Sequence, residues 1–386
     1  MSVTDKPTGS LRHRLYQGET NFRFISLWRR WFLISGVVIL IGILSLVFQG
    51  LNFGIDFEGG TSWEVTAPGV SVEATRDALG PTGQGDAQVQ ILGGRRLLVE
   101  AAPTGPEEQA KVTAALAKLA KTSASNVAIK SVGPSWGGEV TSKAQRALVF
   151  FFLAIALYIS LRFEWKMAVA ALAAVVHDIL VTVGVYSLSG FEVTPATVIA
   201  FLTILGFSLY DTIVVFDKVD ENTKGLAASG RLTYADTVNL SMNQVLMRSL
   251  NTSLVAILPI LSVLVIGAGV LGAATLKDFG LALLIGLLTG AYSSIYVAAP
   301  VLALLKEREP RYRAIRQRLD ARGGVGRGAV LTPAAAMAAS GGMDGAGLGA
   351  EVPAGEARAP KAPTPPRPRQ QSNRGAPRPR KRGRRR

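Results

Sequence analysis

Three ionisable residues fall inside apolar runs, His177 and Asp178 in "AVVHDILV" and Asp211 in "GFSLYDTIVVFDK", and a fourth, Arg248, begins another within the polar stretch "NQVLMRSLNTS". Charges in an apolar medium are costly, and by default they mark ion or proton pathways. A carboxyl set between desolvation, which favours its neutral form, and a guanidinium, which favours its charged form, can load and unload a proton as its surroundings change. Asp211 and Arg248 suit that chemistry. Their runs are consecutive and so antiparallel, which lets the two side chains lie at similar depth. The alternative for this pair is a fixed ion pair that merely pins two helices. His177 and Asp178 lie 10 or 11 residues into their run, roughly 15 Å deep at 1.5 Å per residue. Adjacent helix positions point about 100° apart, so at most one of these two is expected to face any given pathway. Asp178 is thus the weaker candidate beside Asp211 and Arg248. Asp217, next to Lys218, and Arg231 read as solvated surface. Gly206 and Ser208 are expected to allow close helix approach and local hydrogen bonding, and Tyr210 to pack.

Other chemistries lack their residues. The chain has no cysteine, and its only histidines are His13 and His177, so neither disulfide, thiolate nor Cys- or His-rich zinc chemistry is expected. HExxH, Walker A and GxGxxG before a helix are absent, so no metal and no cofactor is expected. An intramembrane aspartyl protease using Asp178 and Asp211 is disfavoured, because no Gly-x-Gly-Asp follows in another run. No enzymatic activity is expected.

The elements that must hold these groups are membrane spans. The chain has 386 residues, 48% of them hydrophobic, and a mean hydropathy of +0.30. Six runs approach the roughly 20 mostly apolar residues that cross a bilayer. They are Phe32 to Gln49, Ala147 to Leu161 with room to extend N-terminally, Met167 to Leu188, Pro195 to about Phe216, Leu254 to Leu271, and about Phe279 to Leu305. The first follows a polar lead and has no small-residue cleavage site after it, so it reads as a retained anchor. Arg23, Arg29 and Arg30 precede the first run, and Arg162 and Lys166 separate the second from the third. Lys218, Lys224 and Arg231 follow the fourth, and a basic tail follows the sixth. The positive-inside rule then puts both termini in the cytoplasm and residues 50–146 outside.

Between Thr61 and Pro134 the period changes from helical to alternating. "TSWEVTA", "DAQVQIL", "RRLLVEA" and "NVAIKSV" read as strands, and "SVEATRDAL" and "GPEEQAKVTAALAKLAK" as helices. Gly93 and Gly94 supply a hairpin turn. The order βαββαβ predicts a small ferredoxin-like α+β domain between the first two spans. Before it stands "LNFGIDFEGGTSWEV". Its Asp56 and Glu58 are expected just beyond the membrane interface, where carboxylates are solvated cheaply. Gly59 and Gly60 permit positive φ if the turn into the first strand requires it. A plain polar linker is the alternative reading of this stretch.

Taken together, "GIDFEGG", "VGPSWGGEV", "HDIL", "GFSLYDTIVVFDKVDEN" and "NQVLMRSLNTS", in that order on this topology, resemble the SecF family of bacterial protein export, over about Arg23 to Lys306. The resemblance implies an RND-type half of six transmembrane helices in the bacterial plasma membrane. It also implies a SecD partner in a heterodimer-like complex. Further implied partners are the SecYEG translocon, YajC and preproteins, with the proton motive force driving late-stage translocation and release. The family's essential membrane charges map onto Asp211 and Arg248. Its GxDFxGG element maps onto Gly54, Asp56, Phe57, Gly59 and Gly60, as a coupling motif between bundle and outside domain. The alternative function is half of another RND-type proton-driven exporter of lipids or small molecules. The tail lies outside the resemblance. From Lys306 onward it holds 20 Lys and Arg against 6 Asp and Glu, which is +14 of the net +15. From Gly323 its Gly, Ala, Pro and Arg composition predicts disorder, and "RPRKRGRRR" suits anionic lipid headgroups on the cytoplasmic leaflet.

Overall fold

The computed structural model of the chain describes residues 20, 22–225 and 232–321. The readings made for His13, for Arg231 and for the tail from Gly323 lie outside the described residues, while the first part of the basic segment is helical, in Pro310–Ala321.

Among the described residues, six helices have the length and hydropathy to cross a membrane: Trp28–Gln49, Pro134–Arg162, Trp165–Ser189, Pro195–Lys224, Tyr234–Val270 and Ala274–Glu307. In chain order the helices are α1 (Trp28–Gln49), α2 (Ile55–Glu58), α3 (Val72–Leu79), α4 (Pro106–Leu119), α5 (Pro134–Arg162), α6 (Trp165–Ser189), α7 (Pro195–Gly225), α8 (Tyr234–Ser262), α9 (Ala274–Ser293), α10 (Ala299–Glu307) and α11 (Pro310–Ala321). Two spans contain π-helical turns. Val263–Val270 extends α8, and Ser294–Ala298 joins α9 to α10. The spans divide into two kinds. α6, α7 and α9–α10 form the inside of the bundle, whereas α1, α5 and α8 expose large side chains such as Phe48, Phe150, Leu161 and Val255. A helix apolar all round, with most of its surface uncovered, is what lipid contact demands.

Close packing inside the bundle rests on small residues, which let backbones approach where no aqueous hydrophobic force acts between helices. A Cβ on Gly42 would lie 2.8 Å from Gly184 Cα, so α1 and α6 cross backbone to backbone. Ser45 and Ser187 hydrogen-bond beside that crossing at 2.9 Å. Gly286 and Gly290 of α9 sit under Ile204 and Ser208 of α7 in the same way. Gly206 has open space around it instead. The close approach expected of Gly206 therefore belongs to glycines on the partner helix, because Gly206 points away from that contact.

The α+β domain lies between α1 and α5. Strands β2 (Gly60–Thr66), β3 (Gln88–Leu92), β4 (Arg96–Ala101) and β5 (Ala128–Val132) form one antiparallel sheet in the order β3-β4-β2-β5. This is the ferredoxin-like order. Trp63, Val65, Leu97 and Val99 alternate onto one face and pack with Leu79, Val112 and Leu116 of α3 and α4. Trp63 Nε1 donates to Thr113 Oγ1 at 3.1 Å, so the largest core side chain has its polar atom satisfied. Gly93 (φ 57°) and Gly94 (φ 66°) make the β3–β4 turn, with both central residues left-handed as a type I′ hairpin requires.

Candidate functional site

The buried membrane charges sit on hydroxyls. Asp211, on α7, is 3% exposed. Ser249 Oγ of α8 lies 2.8 and 2.7 Å from its two carboxyl oxygens, and Ser294 of the sixth span donates to Oδ2. Asp178, on α6, is 1% exposed. Its Oδ2 accepts from Ser208 Oγ at 2.5 Å and from Ser293 Oγ at 2.9 Å. Its Oδ1 lies 3.1 Å from His177 Nδ1. His177 Nε2 in turn lies 3.1 Å from Ser35 Oγ of α1, and Tyr292 OH is 3.1 Å from the same hydroxyl.

Two expectations need correction here. His177 and Asp178 do not separate onto different pathways. Both are buried and bonded to each other, because α6 is enclosed on more than one side and the long imidazole reaches back across the helix face. Arg248 does not meet Asp211: its side chain is exposed, and no ion pair among the described residues includes either group. The expected similarity of depth holds, since the next residue, Ser249, is the one that touches Asp211. One residue is about 100° of helix rotation, which turns Arg248 to the outer face. Asp217 pairs with Arg162 at 2.9 Å, both about half exposed, in agreement with a solvated surface role. Tyr210 is 55% exposed rather than packed. Ser208 makes the hydrogen bond expected of it, to Asp178, whereas Ser249, Ser293 and Ser294 were missed. Their signal was a short polar residue facing inward at the depth of each acid.

The stretch from Leu51 to Val65 is not a slack linker. Strand β1 (Asn52–Phe53) pairs in parallel with β6 (Glu192–Val193), which lies between α6 and α7. The helical turn α2 follows, with Ile55 and Phe57 buried. Asp56 pairs with Lys130 Nζ of β5 at 2.7 Å. Gly59 has φ 82°, and a Cβ there would lie 2.9 Å from Pro134 Cα at the start of α5. A Cβ on Gly60 would lie 2.6 Å from Ala101 O, and one on Gly137 2.5 Å from Phe57 O. Gly59 and Gly137 thus close on each other, a Cβ on Gly137 lying 3.0 Å from Gly59 N. At Gly54 the near atom is Glu192 Oε1, the mobile end of a side chain. GIDFEGG therefore fastens α1, β6, the sheet and α5 at one point.

Above this junction, the sheet face opposite its helices meets the bundle. Gln90 Nε2 donates to Glu192 Oε2 at 3.1 Å, and Lys277 Nζ of α9 donates to Gln90 Oε1 at 2.5 Å. Glu100 points the same way, since side chains alternate along a strand. Burial first, then the charge of Glu192 and a hydrogen bond to it, then the charges of Asp278 and Asp56, push the Glu100 carboxyl up to about 8. Lys277 bonds to Gln90, and Lys130 pairs with Asp56. Freed from the bundle, Glu100 would titrate near the ordinary 4.5. The docked sheet therefore binds more protons than the undocked one between these values. Acid favours docking, and the advantage is lost as pH rises through about 8. With no native cysteine, spin labels can be placed at the exposed Arg95 and Leu271. The separated population is expected to grow with pH over this window, by at most about tenfold per unit for one proton. Glu100→Gln should flatten the dependence. A wild-type distance that ignores pH would refute it.

Comparison with known proteins agrees with this arrangement. Residues 111–308 match the family model described as protein export membrane protein SecD/SecF, C-terminal, and residues 44–67 match the SecD/SecF GG motif. The chain is 43% identical over 317 residues to the protein translocase subunit SecF of Streptomyces coelicolor, covering 81% of this chain and 84% of that one. It is 43% identical over 310 residues to the SecF of Mycobacterium tuberculosis, covering 78% and 70%. The crystal structure of SecDF from Thermus thermophilus, a translocon-associated membrane protein, superposes with a TM-score of 0.68 at 36% identity over 75% of this chain. This chain spans only 39% of that longer one. With just over half of its length matched by the family model, and with relatives this similar along most of their own length, the chain belongs to the SecD/SecF family of protein export membrane proteins.

Proposed function

We propose that the chain is an accessory subunit of the Sec protein translocase that, with a SecD partner, uses the proton motive force to promote late-stage preprotein translocation and release. The observation that carries this reading is Asp211, buried at the membrane core on the hydroxyls of Ser249 and Ser294. A hydroxyl can donate to a carboxylate or accept from a carboxylic acid, so both protonation states keep a partner. Arg248 stands one residue from Ser249. A turn of α8 would exchange the hydroxyl for the guanidinium and hold Asp211 charged. Asp178 belongs to the same pathway. Moving one elementary charge through about 100 mV supplies about 2.3 kcal/mol, which the junction at Gly54, Asp56, Phe57, Gly59 and Gly60 passes to the α+β domain.

The fused SecDF relatives support the SecD partnership, and SecYEG, YajC and preproteins follow from the same role. The setting is the bacterial plasma membrane with both termini cytoplasmic, the basic tail meeting anionic lipid there. The chain performs no catalysis. Asp178 and Asp211 engage different serines rather than facing each other across a substrate gap. Affinity purification of the tagged chain from its native membranes tests the assignment. SecD is expected in comparable amount by mass identification. A homo-oligomer, or association with a lipid exporter instead, would overturn it.

A further inference from the structure

Asp178 and Asp211 are joined by the sixth span. Ser293 Oγ donates to Asp178 Oδ2 at 2.9 Å, and the next residue, Ser294, donates to Asp211 Oδ2. Consecutive residues of a helix point about 100° apart, which lets one helix address acids on two neighbours, α6 and α7. The same descent appears on α7. Ser208 meets Asp178, and Asp211 lies three residues further on, about 4.5 Å along the axis at 1.5 Å per residue. Asp211 is thus the station nearer the end of the bundle opposite the α+β domain. On the flank of Asp178 that faces α1, His177 links it to Ser35 and Tyr292. His177, Asp178, Ser208, Asp211, Ser249, Ser293 and Ser294 are all buried. The serine pair marks the place where α9 passes into the π-helical turn Ser294–Ala298. Single π turns inside spans are frequent at functional sites, where the extra residue makes a register change cheap.

We propose that Asp178 and Asp211 are two stations of one proton path, that Ser293 and Ser294 form the bridge between them, and that His177 refills Asp178. The inference rests on the proton-driven reading above. Asp178 in its acid form gives its proton to the Ser293 hydroxyl as that hydroxyl passes its own to the Ser294 hydroxyl, which a shift of the π turn must bring within hydrogen-bond reach. Ser294 repeats the exchange toward Asp211 as the π turn shifts. Both serines end neutral, Asp178 ends charged and Asp211 protonated. Imidazolium at His177 then returns a proton to Asp178 through the Nδ1–Oδ1 contact.

The test uses the chain reconstituted with its SecD partner in vesicles holding a pH-sensitive dye, with proton uptake measured against external pH. The Ser293→Ala/Ser294→Ala double variant is expected to slow uptake at least tenfold. His177→Gln should change the shape of the pH profile, which a merely structural role would not do, and Asp211→Asn should stop uptake. If the serine and histidine variants matched wild type in rate and profile while Asp211→Asn was inactive, the bridge would be wrong and the proton-driven reading would stand. If Asp211→Asn took up protons normally, the reading itself would fail. The unmodified protein offers a second measurement that no folding defect can cloud. On acidification, its infrared difference spectrum should contain, besides the bands of Glu100 and the surface carboxylates, two buried-carboxyl C=O bands whose titrations are coupled. A single such band, or two that titrate independently, would overturn the proposal.

Discussion

Asp211→Asn is expected to leave the protein assembled with SecD while removing the stimulation of late-stage translocation by a proton gradient. Asparagine has nearly the shape of the acid, and its amide oxygen can still accept from Ser249 and Ser294. What it cannot do is change charge. If one proton crosses about 100 mV per cycle, the lost drive is about 2.3 kcal/mol, or about 50-fold in an equilibrium. Translocation in reconstituted vesicles, with and without an imposed gradient, reads this directly. The control is Asp217→Asn. That carboxylate is also on α7 and also bonded, but to the half-exposed Arg162 at the surface. Such pairs are worth about 0–1 kcal/mol, and the variant should behave as wild type. Full gradient stimulation in Asp211→Asn would end the proton role of this residue.

The contrast between these aspartates shows what the sequence could and could not convey. Hydropathy located all six spans, and charge placed Asp217 at the surface and Asp211 inside. Hydropathy failed at the start of the fifth span. The polar stretch around Asn243 and Arg248 reads as the very start of a span centred on Leu254 to Leu271. In the structure the helix starts at Tyr234, with a capping box of Thr233 and Asp236. Its polar face is used: Asn239 and Asn243 clasp the backbone of Phe22, Phe24 and Ile25, and Ser249 holds Asp211. A polar helical face paid for by partners far away in sequence looks, locally, like a loop. Facing was lost for the same reason. Depth follows from counting residues, but a rotation of one position decides whether Arg248 or Ser249 meets Asp211, and only the packed neighbours fix it. The strand order of the α+β domain was legible because alternation and a Gly-Gly turn are local signals. The seam at Glu100 was not, since its partners Glu192 and Asp278 come from the distant strand β6 and the sixth span.

Gly59→Ala is expected to separate proton movement from work. At φ 82° an alanine is strained in itself, and its methyl would also lie 2.9 Å from Pro134 Cα and 3.2 Å from Val132 O. Both are backbone atoms that cannot swing aside. Strain of this kind costs roughly 1–3 kcal/mol, and it falls where β2, β5 and the start of α5 meet. Gly137→Ala attacks the same contact from the other side, with its methyl 2.5 Å from Phe57 O. Neither residue touches the serines around Asp178 and Asp211, so proton uptake should persist in both variants while gradient-stimulated translocation falls at least tenfold. Two comparisons divide the cause. Gly69 shares a positive φ of 77° but has open space for a methyl, so Gly69→Ala carries the conformational cost without the collision. Gly54→Ala carries a collision only with the Glu192 carboxylate, which can rotate away. If rigid contact between the glycine turn and α5 is what transmits movement, Gly59→Ala and Gly137→Ala should fail together and the other two should work. Equal activity in all four, measured as translocation per proton taken up, would show that the motif only shapes the chain and transmits nothing.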